Sequence, residues 1–389
     1  MSIPHEAKTN ILVIRLDAIG DMILSTPFLR ELRRNYPESW ITLVVRKEVV
    51  NLVELCPYVN KVESYGVVRG GVNTTATRIS LFHTFYNLTL ETIKSSVQRL
   101  NALTFSLRRL RRDFDYVILP RWSNEIPEAY LLAYYSGARL RVGFGEDEQS
   151  DSHTYKYLNV IFPRFDKENN HNHEVERSLY LLRHLGLSVA NTDLEYWLDR
   201  TDTEFVNLLL KKTAMNSPNQ LLIAFGIGAG SPNRRWPYKR FIVVGRRLAE
   251  HFDAKIVVVG DKNDRGNGEQ LRKTLGPSCL DFTGRLTMRQ SLALLRKCSL
   301  FVDNDSGPMH MASSVGLPIV EISCHPQSAQ TNHHNSPERF GPWGVSSVIL
   351  RPRHAPLGCE NGCEEKTTHC INQINITDVL LASRKLLCQ

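Results

Sequence analysis

A short stretch in the C-terminal half of the sequence has the composition of a phosphate-binding turn. Residues 299–302 are apolar, as expected for a buried strand, residues 303–308 (DNDSGP) are predicted to form a turn and a helix start, and residues 309–315 supply the helix body. A Ser-Gly turn at a helix N-terminus offers backbone N–H groups and the positive end of the helix dipole to a phosphate or diphosphate. His310, one turn into the helix, would add a donor. An ordinary capped helix in an α/β domain would leave the same pattern.

Asp21 is a carboxylate in the predicted turn between the first strand and the helix that follows it. Residues 10–16 (NILVIRL) are typical of a buried strand, residues 17–21 of the turn after it, and residues 22–36 have helical spacing. A carboxylate in this turn can accept a proton from a substrate hydroxyl. In a generic strand–helix turn, the favoured role of such a carboxylate is to stabilise the helix start without taking part in chemistry. Asp17, four residues earlier, is a second carboxylate in the same turn.

Predicted strands and helices alternate in both halves of the chain, which indicates a doubly wound parallel α/β sheet in each half. Ligands bind outside the C-terminal ends of such strands. The turn at 17–21 is therefore expected at the functional edge of the first sheet. Further strands are predicted at 40–45, 115–120, 139–144, 220–225 and 255–259.

Length and composition are those of a two-domain globular protein. The chain has 389 residues, of which 42% are apolar and 23% charged, and its formal net charge is +8. The positive charge favours anionic partners such as nucleotides, phosphorylated glycans or a lipid surface, whereas no pattern is typical of a nucleic-acid-binding module. No apolar stretch approaches the roughly 20 residues of a membrane-spanning helix, and we see no secretory signal. We therefore expect a cytoplasmic protein.

Four residues near the C-terminus carry metal-binding side chains. Cys359, Cys363, His369 and Cys370 have the spacing C-x3-C-x5-H-C, which is not a standard zinc pattern, and adjacent His and Cys ligands are awkward. Eight scattered cysteines in a chain without a secretory signal indicate a reducing compartment. We expect reduced structural cysteines here and no metal, with zinc as the alternative.

Four stretches occur in the order found in one protein family. They are residues 15–21 (RLDAIGD), 234–237 (RRWP) and 305–312 (DSGPMHMA), and a cysteine segment ending at 369–371 (HCI). Together they resemble the heptosyltransferase family, glycosyltransferase family nine, over nearly the whole chain, with residues 66–115 the least matched. The turn after residue 320 departs from the Gly-Pro type turn of that family.

The resemblance implies a GT-B fold, in which two doubly wound domains face each other across a cleft. Residues 1–188 would bind the acceptor and residues 189–370 the donor, with a helix at 371–389 packing back across the cleft. The implied reaction is inverting transfer of a sugar from a nucleotide-diphospho-sugar, ADP-heptose above all, to a lipopolysaccharide core or related surface glycan. The nucleotide-sugar is a substrate, and the resemblance implies neither cofactor nor metal. The implied location is the inner face of the cytoplasmic membrane, with peripheral contact to anionic lipid.

The resemblance also implies roles for individual residues. Asp21, as the Asp after the Gly, is the base that removes the acceptor proton. Arg234 holds the donor phosphates at a position where the family usually has Lys, so the charge is kept. The other donor-site residues are Asp261, Gly284, Leu286, Thr287, Asp305, Ser306, Gly307, Pro308 and His310. The acceptor-side candidates are Asp17, Gly20, Arg108, Arg109 and Arg121.

Two features stay open between a surface role and a ligand-binding role. Residues 81–110 have a helical pattern that runs into the basic stretch 107–112 (LRRLRR). Such a stretch is typical of a solvated helix face, and also of contact with anionic lipid or a phosphorylated acceptor. In the second half, Asp264 and Glu269 follow a predicted strand, and either can bind a ribose hydroxyl or simply be solvated.

Two other functions fit parts of the sequence. A nucleotide-sugar epimerase of similar fold needs a second acid/base group beside the sugar, for which Glu321 and His325 are the only candidates. A non-catalytic sugar-nucleotide-binding protein would keep the diphosphate turn without needing Asp21. The presence of Asp21 together with an intact diphosphate turn favours the glycosyltransferase.

Overall fold

The structure is a computed structural model that describes most of the chain. The described residues are 9–66, 81–110, 113–122, 126–145, 157–163, 173–213, 220–363 and 367–389, with side chains described from residue 95 onward in the second range.

Within these residues the strands form two six-stranded sheets, and every strand pair is parallel. The strands of the first sheet are β1 (Asn10–Arg15), β2 (Trp40–Arg46), β3 (Lys61–Tyr65), β4 (Tyr116–Ile118), β5 (Leu140–Phe144) and β6 (Val160–Phe162), in the order β3-β2-β1-β4-β5-β6. The strands of the second are β7 (Leu222–Gly226), β8 (Lys255–Val259), β9 (Cys279–Asp281), β10 (Leu300–Asn304), β11 (Ile319–Ile322) and β12 (Ser347–Leu350), in the order β12-β11-β10-β7-β8-β9.

Helices cover both sheets, and they explain why the central strands are apolar along their whole length. Five of the six residues of β1 and all five of β7 are buried, as expected for parallel strands with helices on both faces. The predicted fold, two doubly wound α/β domains, is confirmed. The helices are α1 (Ile19–Leu24), α2 (Thr26–Asn35), α3 (Val50–Val53), α4 (Leu81–Arg109), α5 (Pro127–Tyr135), α6 (Glu174–His184), α7 (Arg200–Lys212), α8 (Tyr238–Phe252), α9 (Arg265–Leu275), α10 (Met288–Leu295), α11 (Gly307–Ser314), α12 (Pro337–Phe340) and α13 (Ile376–Leu387).

The single helix predicted over 22–36 is wrong, because the structure has two helices that meet at Ser25. The Ser25 hydroxyl donates to the Asp21 carbonyl at 2.8 Å, which closes the end of α1. Pro27 then lies in the first turn of α2, where its missing N–H costs nothing. The short helix α1 is therefore a separate element, and it carries Gly20 and Asp21.

An extended segment, residues 185–199, joins the two domains and runs along α2. Arg30 donates to the carbonyl of Asp193 at 3.0 Å and pairs with Glu195 at 2.5 Å, and Arg34 donates to the carbonyl of Ser188 at 2.6 Å. The expected boundary between residues 188 and 189 falls inside this segment. The helix before the segment, α6, packs on α2, and the helix after it, α7, packs on α10.

The C-terminal helix α13 lies on the second domain. Its main contacts are with α8 and with strands β10, β11 and β12, and its buried residues, Val379 and Leu386 among them, belong to the apolar core beneath that sheet. This differs from the expected position across the cleft, because the apolar stripe of α13 is already covered by the second sheet. Among the described residues, no helix has both the length and the apolar character needed to cross a membrane.

Candidate active site

The two domains meet where α1 of the first approaches α11 of the second. Glycine permits this approach from both sides. A Cβ on Gly307 would lie 3.1 Å from the Cβ of Ile19, and a Cβ on Gly20 would lie only 2.5 Å from Cδ2 of His310. Gly20, expected on the acceptor side, and Gly307 and His310, expected on the donor side, are therefore brought together at this contact.

A buried ion-pair network surrounds Asp21 at the C-terminal end of β1. Asp17 pairs with Arg15 at 3.1 Å and with Arg121, which follows β4, at 2.5 Å. Nη2 of Arg15 lies 3.9 Å from Oδ1 of Asp21. Both oxygens of Asp17 therefore face arginines, whereas Asp21 has one distant cation and a side chain that is 28% exposed.

The environment of Asp21 suits a carboxylate that takes up a proton near neutral pH. Burial and the neighbouring charge of Asp17 raise the pKa of Asp21 to about 6, against the lowering effects of Arg15 and Arg121. A base with a pKa near the working pH combines a large deprotonated fraction with useful proton affinity. The geometry thus distinguishes the two acids of this turn, with Asp17 tied into ion pairs and Asp21 open to a substrate.

Arg234, in the second domain, is held in place by Asp305. Its Nη1 donates to Oδ2 of Asp305 at 3.1 Å, and its Nε donates to the hydroxyl of Ser231 at 3.2 Å. The guanidinium passes so close to Gly230 that a Cβ there would lie 2.8 Å from Nη2. Burial lowers the pKa of Arg234, but the interaction with Asp305 outweighs this effect and raises the pKa overall. The negative charge of Asp21 in the other domain also raises the pKa of Arg234.

The turn before α11 starts later than predicted, because Asp303 and Asn304 are the last residues of β10. The side chain of Asn304 joins two loops by accepting from the N–H of Trp236 at 3.0 Å and donating to the carbonyl of Gly228 at 3.0 Å. Ser306 is the N-cap residue, but its hydroxyl donates to Asp303 at 2.5 Å instead of capping the helix. The turn is therefore fixed by the side chains of Asp303 and Asn304 at the end of β10.

The donors that this turn offers to an anion are fewer than the sequence suggested. Pro308, one of the expected donor-site residues, has no N–H and therefore cannot donate a backbone hydrogen bond to an anion. The N–H groups of Ser306 and Gly307 lie outside the hydrogen-bond pattern of α11. Pro308 instead fixes the first turn of the helix.

His310 is a neutral imidazole in this site. Burial, with the nearby His173 and Arg234, lowers the pKa of His310 to about 3. Its Nδ1 is buried and has no hydrogen-bond partner among the described residues. His310 can therefore donate or accept one hydrogen bond at the domain contact, but it brings no positive charge to a diphosphate.

The remaining donor-side candidates follow β8 and β9. Asp261 caps a short 3-10 helix, and Thr287 caps α10 by accepting from the N–H of Gln290 at 3.2 Å. Gly284 has a φ of +62°, and its N–H donates to the carbonyl of Gly260 at 2.9 Å, which ties the two strand ends together. Leu286 packs against the adjoining core.

The two acids considered for a ribose hydroxyl differ in burial. Asp264 is buried, where a Cβ on Gly228 would lie 2.2 Å from its Oδ2, and it accepts from the N–H of Asp261 at 3.1 Å. Glu269 is on the surface of α9 and pairs with Lys273 at 2.9 Å. Asp264 therefore stabilises the loop after β8, and the carboxylate of Glu269 forms a surface ion pair.

Arg108 and Arg109 line a separate cavity at the end of α4. The cavity has a volume of about 270 Å³ and is also lined by Tyr65 and Phe105. Tyr65 is the last residue of β3, so the cavity opens at the same edge of the sheet as the Asp21 turn. Arg111 and Arg112, which belong to the same basic stretch, lie outside the described residues.

The residues that an epimerase would need are buried. Burial and the charges of Asp305 and Asp303 raise the pKa of Glu321 well above its ordinary value. The ring of His325 forms a hydrogen bond with the carbonyl of Gln330 at 2.9 Å, and burial lowers its pKa to about 4. Both side chains are inside the second domain, so neither provides the second acid/base group beside the cleft.

Arg15 is a site residue that the sequence analysis missed. It was treated as part of a motif, but its side chain is almost fully buried and its guanidinium lies beside both Asp17 and Asp21. A cation at the end of an otherwise apolar strand was the available signal, since a buried charge requires a partner.

A group of residues able to hold a metal lies in the C-terminal segment. The ligand atoms of Cys359, Cys363, His369 and Cys370 are all within 4.8 Å of one another. The spacing appeared awkward for zinc, but the fold brings the four side chains to one point.

Comparison with known proteins gives a consistent set of relatives. Lipopolysaccharide heptosyltransferase 2 of Escherichia coli is 24% identical over 320 residues, which cover 80% of this chain and 82% of that protein. Lipooligosaccharide heptosyltransferase 2 of Haemophilus ducreyi is 25% identical over 354 residues, 88% of each chain.

Solved structures share the fold along the whole chain. The glycosyl transferase family 9 protein of Veillonella parvula superposes with a TM-score of 0.78 at 20% identity, covering 100% of this chain and 99% of that one. The E. coli ADP-heptose lps heptosyltransferase II superposes with a TM-score of 0.67 at 19% identity, covering 98% and 99%. The family model described as glycosyltransferase family 9 (heptosyltransferase) matches residues 105–369. The resemblance seen in the sequence is confirmed, and the chain belongs to glycosyltransferase family 9, the heptosyltransferases.

Proposed function

We propose that this protein transfers heptose, with inversion, from ADP-heptose to the core of lipopolysaccharide or to a related surface glycan. The proposal is supported by the family and by the names of the relatives, which are heptosyltransferases of lipopolysaccharide and lipooligosaccharide. The single observation that supports the mechanism is the contact of α1 with α11, because α1 carries Asp21, whose pKa is raised, and Asp305, which holds Arg234, lies just before α11.

Asp21 acts as the general base. The acceptor hydroxyl gives its proton to the Asp21 carboxylate while its oxygen bonds to the anomeric carbon of the donor. The bond from that carbon to the diphosphate oxygen breaks on the opposite face, and its electron pair leaves with ADP. Asp17 cannot readily replace Asp21, because both of its oxygens are paired with Arg15 and Arg121. Asp17 and Arg15 are positioning residues, and the partly exposed Arg121 can also meet the acceptor.

The leaving diphosphate is stabilised by fixed groups of the second domain. Arg234 supplies a positive charge with a planar, bidentate donor set, and the N–H groups of Ser306 and Gly307 supply the end of the helix dipole. Asp305 holds Arg234 in place through the 3.1 Å hydrogen bond. With these groups present, turnover needs neither a cofactor nor a dissociable divalent ion. His310 orients the donor as a neutral hydrogen-bonding group at the domain contact.

The acceptor suggests where the protein works. A lipid-linked glycan core is presented at the inner face of the cytoplasmic membrane, and the exposed basic end of α4 suits peripheral contact with anionic lipid or an acceptor phosphate. This location follows from the proposed substrate.

The proposed function is tested by following ADP release from ADP-heptose with lipopolysaccharide that lacks core heptose. Release is expected only when donor and acceptor are both present, and it should be unchanged by brief EDTA treatment or added magnesium. Conversion of the nucleotide-sugar without acceptor would instead identify an epimerase. Activity that EDTA abolishes and magnesium restores would contradict the metal-independent mechanism.

A further inference from the structure

The strongest unassigned feature is the group Cys359, Cys363, His369 and Cys370, which we call the cysteine–histidine cluster. Its three cysteines are buried, and His369 is the most exposed member. All eight cysteines of the chain are thiols in this structure. We infer that the cysteine–histidine cluster is a tetrahedral zinc site with a structural role, formed by three thiolates and the Nδ1 atom of His369.

The distances agree with zinc coordination. Zinc lies about 2.3 Å from sulfur and about 2.0–2.1 Å from nitrogen, so a tetrahedral site separates sulfur from nitrogen by about 3.6 Å. Nδ1 of His369 is 3.7 Å from Sγ of Cys359 and 3.4 Å from Sγ of Cys370. All four ligand atoms lie within 4.8 Å of one another, so a bound ion with tetrahedron edges of about 3.6–3.8 Å would draw the more distant ligand atoms closer by up to about 1 Å.

The backbone explains how an unusual spacing gives this arrangement. The N–H of Gly362 donates to the carbonyl of Cys359 at 3.1 Å, and Gly362 has a φ of +147°, so a tight turn brings Cys363 back toward Cys359. His369 has φ −135° and ψ −89°, just before the 3-10 helix that begins at Cys370. This turn directs two adjacent side chains to the same point.

A second layer of polar groups supports the cluster, as is common around metal ligands. Nδ2 of Asn233 donates to the carbonyl of Cys363 at 3.0 Å and lies 3.8 Å from its sulfur. Nδ2 of Asn335 donates to the same carbonyl at 3.1 Å. Zinc with four protein ligands has no open position for substrate, so the ion would stabilise the fold and not take part in chemistry.

The cluster also supports the segment that carries Arg234. Asn233 is the preceding residue, and the hydroxyl of Thr368 donates to the carbonyl of Pro232 at 3.3 Å. Nε1 of Trp236 donates to the carbonyl of Ile374 at 3.1 Å, just beyond the cluster. Zinc would therefore fix the C-terminal segment against the donor-side loop. This link to ADP binding rests on the proposed function, whereas the metal site does not.

Metal content of the full-length protein is the direct test. Protein produced with added zinc is expected to contain about one zinc ion per chain, as a closed structural site requires. Replacing the metal with Co²⁺ should give the absorption bands of tetrahedral thiolate coordination. Zinc-free wild-type protein would overturn the inference, and stoichiometric iron in place of zinc would overturn the choice of metal.

Variants locate the site. Cys363→Ser and His369→Ala should lose the zinc and lower Tm by roughly 5–10 °C, because metal binding contributes to folding. Cys388→Ser, which removes an exposed cysteine outside the cluster, should keep both metal and Tm. If Cys363→Ser does not fold, His369→Ala and wild-type metal content still decide the matter, and full zinc retention by His369→Ala would contradict the ligand set. Zinc loss without any change in ADP affinity would remove only the proposed link to Arg234.

Discussion

The imidazole of His310 lies against the backbone of Gly20. The two domains are in contact at this point because glycine has no side chain there. The Cβ of an alanine at position 20 would be 2.5 Å from Cδ2 of His310, too close for any real contact. Since His310 is buried in the second domain and Gly20 is in the first turn of α1, the contact sets the distance between base and donor site.

Gly20→Ala is therefore expected to reduce kcat by on the order of 10²-fold, because it moves Asp21 relative to the donor. Tm should fall only modestly, since α1 tolerates alanine within a helix. Gly266→Ala is the matched control, because a Cβ at this helical glycine meets no atom within 4 Å. Steady-state kinetics showing equal kcat for the two variants would mean that the contact does not set the catalytic geometry.

The pH dependence of the reaction should report Asp21. Its pKa is raised to about 6, and only the deprotonated carboxylate can accept a proton. The rate kcat/KM should therefore fall as the pH drops below about 6, approaching tenfold per pH unit. His310, whose pKa is lowered to about 3, stays neutral over this range and adds no second limb. A profile that is flat down to about pH 5 would assign the proton to another group.

Arg234→Ala should weaken ADP binding by roughly 10–100-fold, the effect of losing a charged hydrogen-bond donor. The ADP affinity of Arg234→Lys should lie between those of Arg234→Ala and the wild type, because lysine keeps the charge and loses the planar guanidinium. Arg246→Ala, which removes an exposed arginine from α8, controls for net charge. Isothermal titration with ADP measures the effect, and equal affinity in Arg234→Ala and Arg246→Ala would dismiss the phosphate role.

Membrane contact, if it uses the basic end of α4, should be electrostatic. The double variant Arg108→Ala and Arg109→Ala is expected to reduce binding to anionic vesicles, and added salt should weaken binding of the wild type. Arg246→Ala with Arg247→Ala removes an adjacent exposed pair from the second domain and serves as the control. Vesicle co-sedimentation that falls equally in both double variants would reflect net charge alone. The basic end of α4 would then be a solvated helix face and not a membrane-binding surface.

The fold could be predicted because periodicity and turn residues agree over most strands. The strand at 255–259 has the bounds of β8, and glycine ends the helices α6 and α11 at positions with φ of +77° and +78°. The break at Ser25 was missed, since the apolar pattern continues through it and only Pro27 marks the new helix. Asp303 and Asn304 were placed in a turn, because polar residues inside a buried strand end depend on tertiary partners.

The candidate site could be predicted only in part. Motif order singled out Asp21 and Arg234, but the pairing of Asp17 with Arg15 and Arg121 depends on which strands are neighbours in the sheet. The convergence of His369 with the three cysteines likewise depends on backbone angles that spacing does not reveal.

The central claim is that Asp21 removes the acceptor proton, and Asp21→Asn tests it most directly. Asparagine has nearly the same shape and can also stabilise a helix start, so Tm should hardly change. It cannot accept the proton, and the rate of heptose transfer should fall by about 10²–10⁴-fold. ADP affinity should remain that of the wild type, because Arg234, Ser306 and Gly307 lie in the other domain. Transfer at close to the wild-type rate by folded Asp21→Asn protein would contradict the account.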